Sequence, residues 1–164
     1  MTLDKSSARE LIVRAHHTAL CVNDFDAAKL FFTDFVGMEL EWEFDRRDEA
    51  ALSQVTELPG AAASMAMLRL GDYRLELFKY HCPESHRAPQ LQCDQGYTHM
   101  AFEVSDVDAI HARLLEAGYR TSTPPVSLRP GYSKLVYAYA PENAVIEFIE
   151  FLGKDVSARL AAHG

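Results

Sequence analysis

The sequence predicts an α+β fold of two tandem βαβββ modules whose strands form a cupped mixed β-sheet. Three observations predict it. A twelve-residue motif recurs once, at a distance. Each copy is followed by one run with helical spacing and three strand-like runs. Each copy also carries a histidine in its first strand-like run and a glutamate inside its last, strongly apolar one.

The motif starts at His17 as HTALCVNDFDAA and again at His99 as HMAFEVSDVDAI, an offset of 82 (99 − 17). Six positions are identical between the copies: His17/His99, Ala19/Ala101, Val22/Val104, Asp24/Asp106, Asp26/Asp108 and Ala27/Ala109. A repeat at fixed offset is the mark of one supersecondary unit used twice. Residues 13–22 and 96–104 are rich in β-forming apolar residues and read as first strands. Asp24 and Asp106 stand where a helix N-cap is wanted, their carboxylates able to accept the first free N–H groups. Ala27, Leu30, Phe31 and Phe35 mark one apolar helix face, and Val107, Ile110, Leu114 and Leu115 the other. The helices are expected over 24–37 and 107–117. Gly37 and Gly118 fall just past their ends, where a left-handed cap suits glycine.

Three strands are expected after each helix, near 38–45, 63–70 and 73–80, and near 120–128, 132–140 and 144–151. Gly71-Asp72, Pro130-Gly131 and Pro141-Glu142-Asn143 supply the turns between them. The expected organisation is a single domain over 12–151, made of modules 13–81 and 96–151. Residues 82–95 are a linker, 46–62 an insertion in the first copy, and 152–164 a tail with a short helix.

Glu76 sits among Leu75, Leu77 and Phe78, and Glu147 between Ile146 and Phe148. A carboxylate in such a strand needs a partner, because burying it unpaired is costly. If the first and last strands of a module pair antiparallel or lie adjacent, each histidine meets its glutamate on one face. Side chains alternate, so Arg74, Glu76, Phe78 and Tyr80 share a face, as do Val145, Glu147, Ile149 and Phe151. Two such faces would bring His17, Glu76, His99 and Glu147 together. That donor set suits one divalent ion: Zn, Ni, Co, Mn or Fe. His16 has the wrong strand parity for a ligand, and His111 lies on a helix. Glu150, three residues after Glu147, is read as a rim charge. Glu103 is either a partner behind His99 or a solvent-facing strand end. Tyr137 and Tyr139 share a face and either line the cavity or fill the core. Cys82, His86 and Cys93 match no common zinc spacing and read as solvated.

The motifs HTALCVND, LELF, GYTHMAFEVSD and PENAVIEFIE together resemble the vicinal-oxygen-chelate superfamily, over roughly 12–151. That superfamily spans glyoxalase I, methylmalonyl-CoA epimerase, extradiol dioxygenases and fosfomycin- or bleomycin-resistance proteins. The resemblance implies His17, Glu76, His99 and Glu147 as ligands. It also implies a small substrate that chelates the metal through neighbouring oxygens and passes through an enolate-like state. Glu76 or Glu147 would be the catalytic base. The four-ligand set resembles the glyoxalases and epimerases, whereas extradiol dioxygenases use two histidines and one glutamate. The alternatives are therefore an Fe(II) dioxygenase or a resistance-type binding protein without chemistry. Cys21 and Trp42 stand where glyoxalase I carries arginines, against glutathione as cosubstrate. Lys79, Arg87 and Lys134 are loose candidates for holding coenzyme A.

Composition sets the outer limits. At 164 residues the chain can bury an ordinary core without disulfides. A net charge of −8, from 16 basic and 24 acidic residues, argues against a nucleic-acid or anionic-membrane footprint. MTLDKSSARE leads into no apolar run, so neither a secretory signal nor a membrane span is expected. An odd count of three cysteines suits reduced thiols in the cytoplasm, and the superfamily resemblance implies a homodimer.

Overall fold

A computed structural model describes residues 11–86, 91–129 and 131–152. The candidate Arg87, the turn residue Pro130 and the expected tail helix lie outside them. The chain divides into two compact units, Met1–Ser85 and His86–Gly164. The first sequence module falls in one and the second in the other.

The first unit runs β1 (Thr18–Cys21), α1 (Phe25–Leu30), β2 (Glu39–Arg47), α2 (Ala50–Thr56), β3 (Ala62–Leu70) and β4 (Tyr73–Cys82). Its four-stranded mixed sheet has the order β1-β4-β3-β2. β1 is parallel to β4, while β3 is antiparallel to both β2 and β4. β1 is much shorter than the expected 13–22, because its pairing with β4 begins only at Thr18↔Leu75. Upstream, Leu11, Ile12 and Val13 are exposed. Asp24 caps α1, accepting from the Ala27 N–H at 3.1 Å. The helix widens into a π turn over Phe31–Phe35, closed by Val36 N–H donating to the Phe31 carbonyl at 3.0 Å. Gly37 then takes φ 84, which a side chain would oppose. Leu75, Leu77, Ala66 and Leu68 bury one sheet face, and Phe31 and Phe32 are buried on the helix side. The expected insertion 46–62 contains a helix, α2, that its apolar spacing had not revealed.

The second unit runs β5 (Met100–Glu103), α3 (Val107–Glu116), β6 (Arg120–Thr121), β7 (Val126–Arg129), β8 (Ser133–Tyr139) and β9 (Val145–Phe151). The sheet order is β5-β9-β8-β6, with β7 also on β8. β5 is parallel to β9, as β1 is to β4. The strand expected at 120–128 is two short pieces, because Pro124 and Pro125 donate no backbone hydrogen bond. Asp106 caps α3 through the Ala109 N–H at 2.9 Å. Ile146 and Phe148 are buried with Val107, Leu114 and Val136, and Phe102 stacks on Phe148. Among the described residues no helix is long and apolar enough to cross a membrane.

Candidate functional site

The two sheets repeat one register. Ala19 faces Glu76 across the parallel β1–β4 ladder, and Ala101 faces Glu147 across β5–β9. The histidine two residues before each alanine points to the same sheet face. His17 Nε2 thus lies 3.0 Å from Glu76 Oε2, and His99 Nε2 lies 3.2 Å from Glu147 Oε2. The glutamates are the more covered partners, their side chains 13% and 12% exposed. The histidine stands just outside β1 and β5, where the chain leaves the sheet. The apolar flanks that singled out Glu76 and Glu147 are buried: Leu75, Leu77, Ile146 and Phe148 line the opposite face.

The pairs differ behind the imidazole. His17 Nδ1 lies 2.7 Å from His16 Nδ1, so one ring donates and the other accepts. His99 Nδ1 is buried with no hydrogen-bond partner among the described residues, and the ring of Tyr137 lies against His99 at 5.1 Å. Tyr137 is the cross-strand neighbour of Glu147. Burial first, and the Glu147 carboxylate second, raise the Tyr137 phenol above its ordinary value. Tyr80, on the Glu76 face of β4, is raised by burial, then by Cys21 and Glu76.

Each pair fits as part of a metal site. An imidazole nitrogen and a carboxylate oxygen, each about 2.1 Å from one ion, would lie roughly 3.0 Å apart at a right angle and roughly 3.4 Å at the tetrahedral angle. The observed separations fall in that range, and mixed N/O donors suit Zn, Ni, Co, Mn or Fe. Among the described residues no group of three or more His, Cys, Asp or Glu side chains that could hold an ion is present. Each unit holds one His–Glu pair.

Other residues named from the sequence take plainer places. Glu150 accepts the Val107 N–H at 3.0 Å and so caps the start of α3, a tertiary role that strand parity alone does not reveal. Glu103 is exposed. Tyr139 lies under the Arg120 guanidinium, 3.5 Å from ring centre to Cζ. Lys134 is tied to Asp108. Cys21, Cys82 and Cys93 are exposed, and among the described residues none of them forms a disulfide. Sequence reading missed a polar cluster around the buried Ser64, which donates to the exposed Asp45 at 3.2 Å and lies 2.8 Å from Nε2 of the exposed His81. Its members are far apart in sequence and carry no motif.

Comparison with known proteins places these features. The model of the Glyoxalase/Bleomycin resistance protein/Dioxygenase superfamily matches residues 14–148. A 2-epi-5-epi-valiolone epimerase from Actinomyces sp is 34% identical over 144 residues, which cover 84% of this chain and 79% of the relative. The crystal structure of a glyoxalase family protein from Bacillus cereus superposes with a TM-score of 0.78 at 23% identity, covering 93% of this chain and all of that one (100%). The trypanothione-dependent glyoxalase I of Leishmania major superposes with a TM-score of 0.61 at 21% identity, covering 92% and 93%. These two likenesses speak to the fold.

Proposed function

We propose, on the footing that this chain belongs to the Glyoxalase/Bleomycin resistance protein/Dioxygenase superfamily, that it is a divalent-metal-dependent enzyme moving a proton next to a carbonyl. The best-supported reaction is an epimerisation; a glyoxalase-like isomerase or lyase step uses the same proton transfer. The substrate is a small molecule with neighbouring oxygens. His17, Glu76, His99 and Glu147 would hold one ion of Zn, Ni, Co, Mn or Fe, within one chain or shared by two chains of a homodimer. A bound ion of this kind supplies Lewis-acid polarisation of substrate oxygens.

The observation that carries this reading is the duplicated His–Glu pair at identical register, Ala19↔Glu76 and Ala101↔Glu147. Inverting a carbon centre next to a carbonyl is served by one group that removes a proton and a second acid that returns it on the opposite side. The two pairs provide two carboxylates, Glu147 as acceptor and Glu76 as its counterpart. Tyr137, kept protonated by burial beside Glu147, can donate a hydrogen bond where negative charge develops on a substrate oxygen. The 34%-identical relative is itself named an epimerase.

The test is metal analysis of the purified protein, followed by deuterium incorporation from D₂O into 2-epi-5-epi-valiolone and simple 2-keto and 2-hydroxy acids. Exchange should depend on metal, fall about 100-fold or more after chelation, and return on reloading. No exchange under any of the five metals would refute the reading. Oxygen uptake with Fe²⁺ and a catechol would favour the dioxygenase alternative instead.

A further inference from the structure

The first unit holds a cavity of ≈ 450 Å³ that the proton-transfer reading leaves unused. Its floor is Trp42, Phe44 and Met65, and Leu52 and Val55 of α2 form its wall. α2 belongs to the insertion 46–62, which the second module lacks. The volume is that of a small-molecule site, normally some 300–1,000 Å³. Phe44 and Val55 are 41% and 78% exposed, an apolar lining open to water.

The cavity lies on the face that carries Glu76. Across the sheet the register reads Ala19–Glu76–Met67–Trp42, and in the next row Cys21–Phe78–Met65–Phe44. A bulge puts Trp42 there. Leu40 pairs with Leu68, but Trp42 pairs with Met67, so Glu41 is an extra residue in β2. In unbroken register Trp42 would oppose Ala66 on the buried, helix-facing side; the bulge turns it over. Glu41 is clamped in place by Arg74, through two hydrogen bonds of 2.8 Å, and by Arg69 at 3.2 Å. The side chains of Trp42 and Phe44 pack at 5.2 Å between ring centres. Two strand spacings separate Glu76 from Trp42, roughly 10 Å.

The rim fixes the character of the occupant. Arg47 is the cation at the cavity, and it is engaged by Glu49 and lies 4.6 Å over the Phe44 ring. Its charge is already answered by Glu49, so among the described residues lining the cavity no cation is left for an anion.

We propose that this cavity is a specificity site for a neutral, flat apolar group, an aromatic ring above all, carried by a substrate whose paired oxygens engage the His17–Glu76 end of the same face. Ring and oxygens would be separated by roughly 10 Å. Occupancy of the cavity stands on its own geometry, whereas its role in specificity rests on the function proposed above.

Trp42 is the sole tryptophan of the chain, so its emission reports the cavity directly. The metal-loaded full-length protein is titrated with 4-phenyl-1-butanol, which lacks paired oxygens, and with 2-hydroxy acids bearing a phenyl ring on tethers of increasing length. The alcohol should shift Trp42 emission saturably. The tether that bridges roughly 10 Å should bind at least 10-fold tighter than the shortest. Leu52→Asp should abolish that advantage; Val55→Asp, at an exposed position, should weaken it even if the first variant misfolds by far-UV circular dichroism. No emission response in the folded protein would overturn the cavity as a ring site, as would emission that changes only with protein dilution, the sign of a second copy on this face. Alcohol binding with no dependence on tether length would overturn the link to Glu76. Failure of deuterium exchange alone leaves the emission response intact, which separates this inference from the proposed chemistry.

Discussion

Replacing Glu147 with glutamine is expected to remove turnover while leaving the fold and part of the metal affinity. Glutamine keeps one oxygen where Glu147 Oε2 stands, 3.2 Å from His99 Nε2, and can still accept that hydrogen bond. It cannot accept a proton at neutral pH. A general base contributes roughly 10²–10⁴-fold, about 2.7–5.4 kcal/mol of barrier at 1.36 kcal/mol per decade. Stability should change less. The exchange replaces a charge-assisted bond with a neutral one, a difference of about 1 kcal/mol, discounted further because the His99 side chain is 29% exposed. For a chain of this size that is about 2–4 °C in Tm or less. Glu147→Ala should cost more than the glutamine variant, because His99 Nδ1 is already buried with no partner among the described residues and the ring would lose its Nε2 contact as well. Deuterium exchange, metal content and Tm measured on the same preparations decide the matter. A glutamine variant that keeps near-full exchange with metal bound would show that Glu147 is at most a ligand. Retained activity in both Glu76→Gln and Glu147→Gln would refute carboxylate proton transfer altogether.

His99→Ala should lose metal and exchange together, visible as metal content well below that of the parent after dialysis. Asp106→Ala should cost about 1 kcal/mol of stability by removing the cap on the Ala109 N–H, measured by urea unfolding, with no direct effect on turnover. At alkaline pH, Tyr137 and Tyr80 should ionise above the ordinary phenol value, followed by absorbance at 295 nm. Since their folded-state values are raised, the associated stability is complete below about pH 10 and is lost as pH rises through the folded values. At acid pH the sign reverses for Glu41, whose carboxyl Arg74 holds below its ordinary value: that contribution is present above about pH 4.5 and fades as pH falls through the folded value, and Arg74→Gln should flatten this limb.

What the sequence determined by itself was whatever rests on local pattern and on the repeat. The offset between His17 and His99 identified both modules, and Asp24, Asp106, Gly37 and Gly118 bounded their helices because capping and positive φ are decided by neighbours in the chain. Glu76 and Glu147 were legible because a charged residue inside an apolar strand contradicts its surroundings. The tertiary structure decided the rest. The parallel pairing of β1 with β4 and β5 with β9, which sets each histidine beside its glutamate, depends on strands some 50 residues apart, and periodicity carries no information about partner or direction. The duty of Glu150 as a cap for α3, the Ser64–His81–Asp45 cluster and the widening of α1 at Phe31 are likewise long-range or packing effects. Trp42 shows the limit most plainly. Alternation read from the sequence assigns a face only while register is unbroken, and the bulge at Glu41, held by Arg69 of β3 and Arg74 of β4, reverses that face and turns the ring into the cavity.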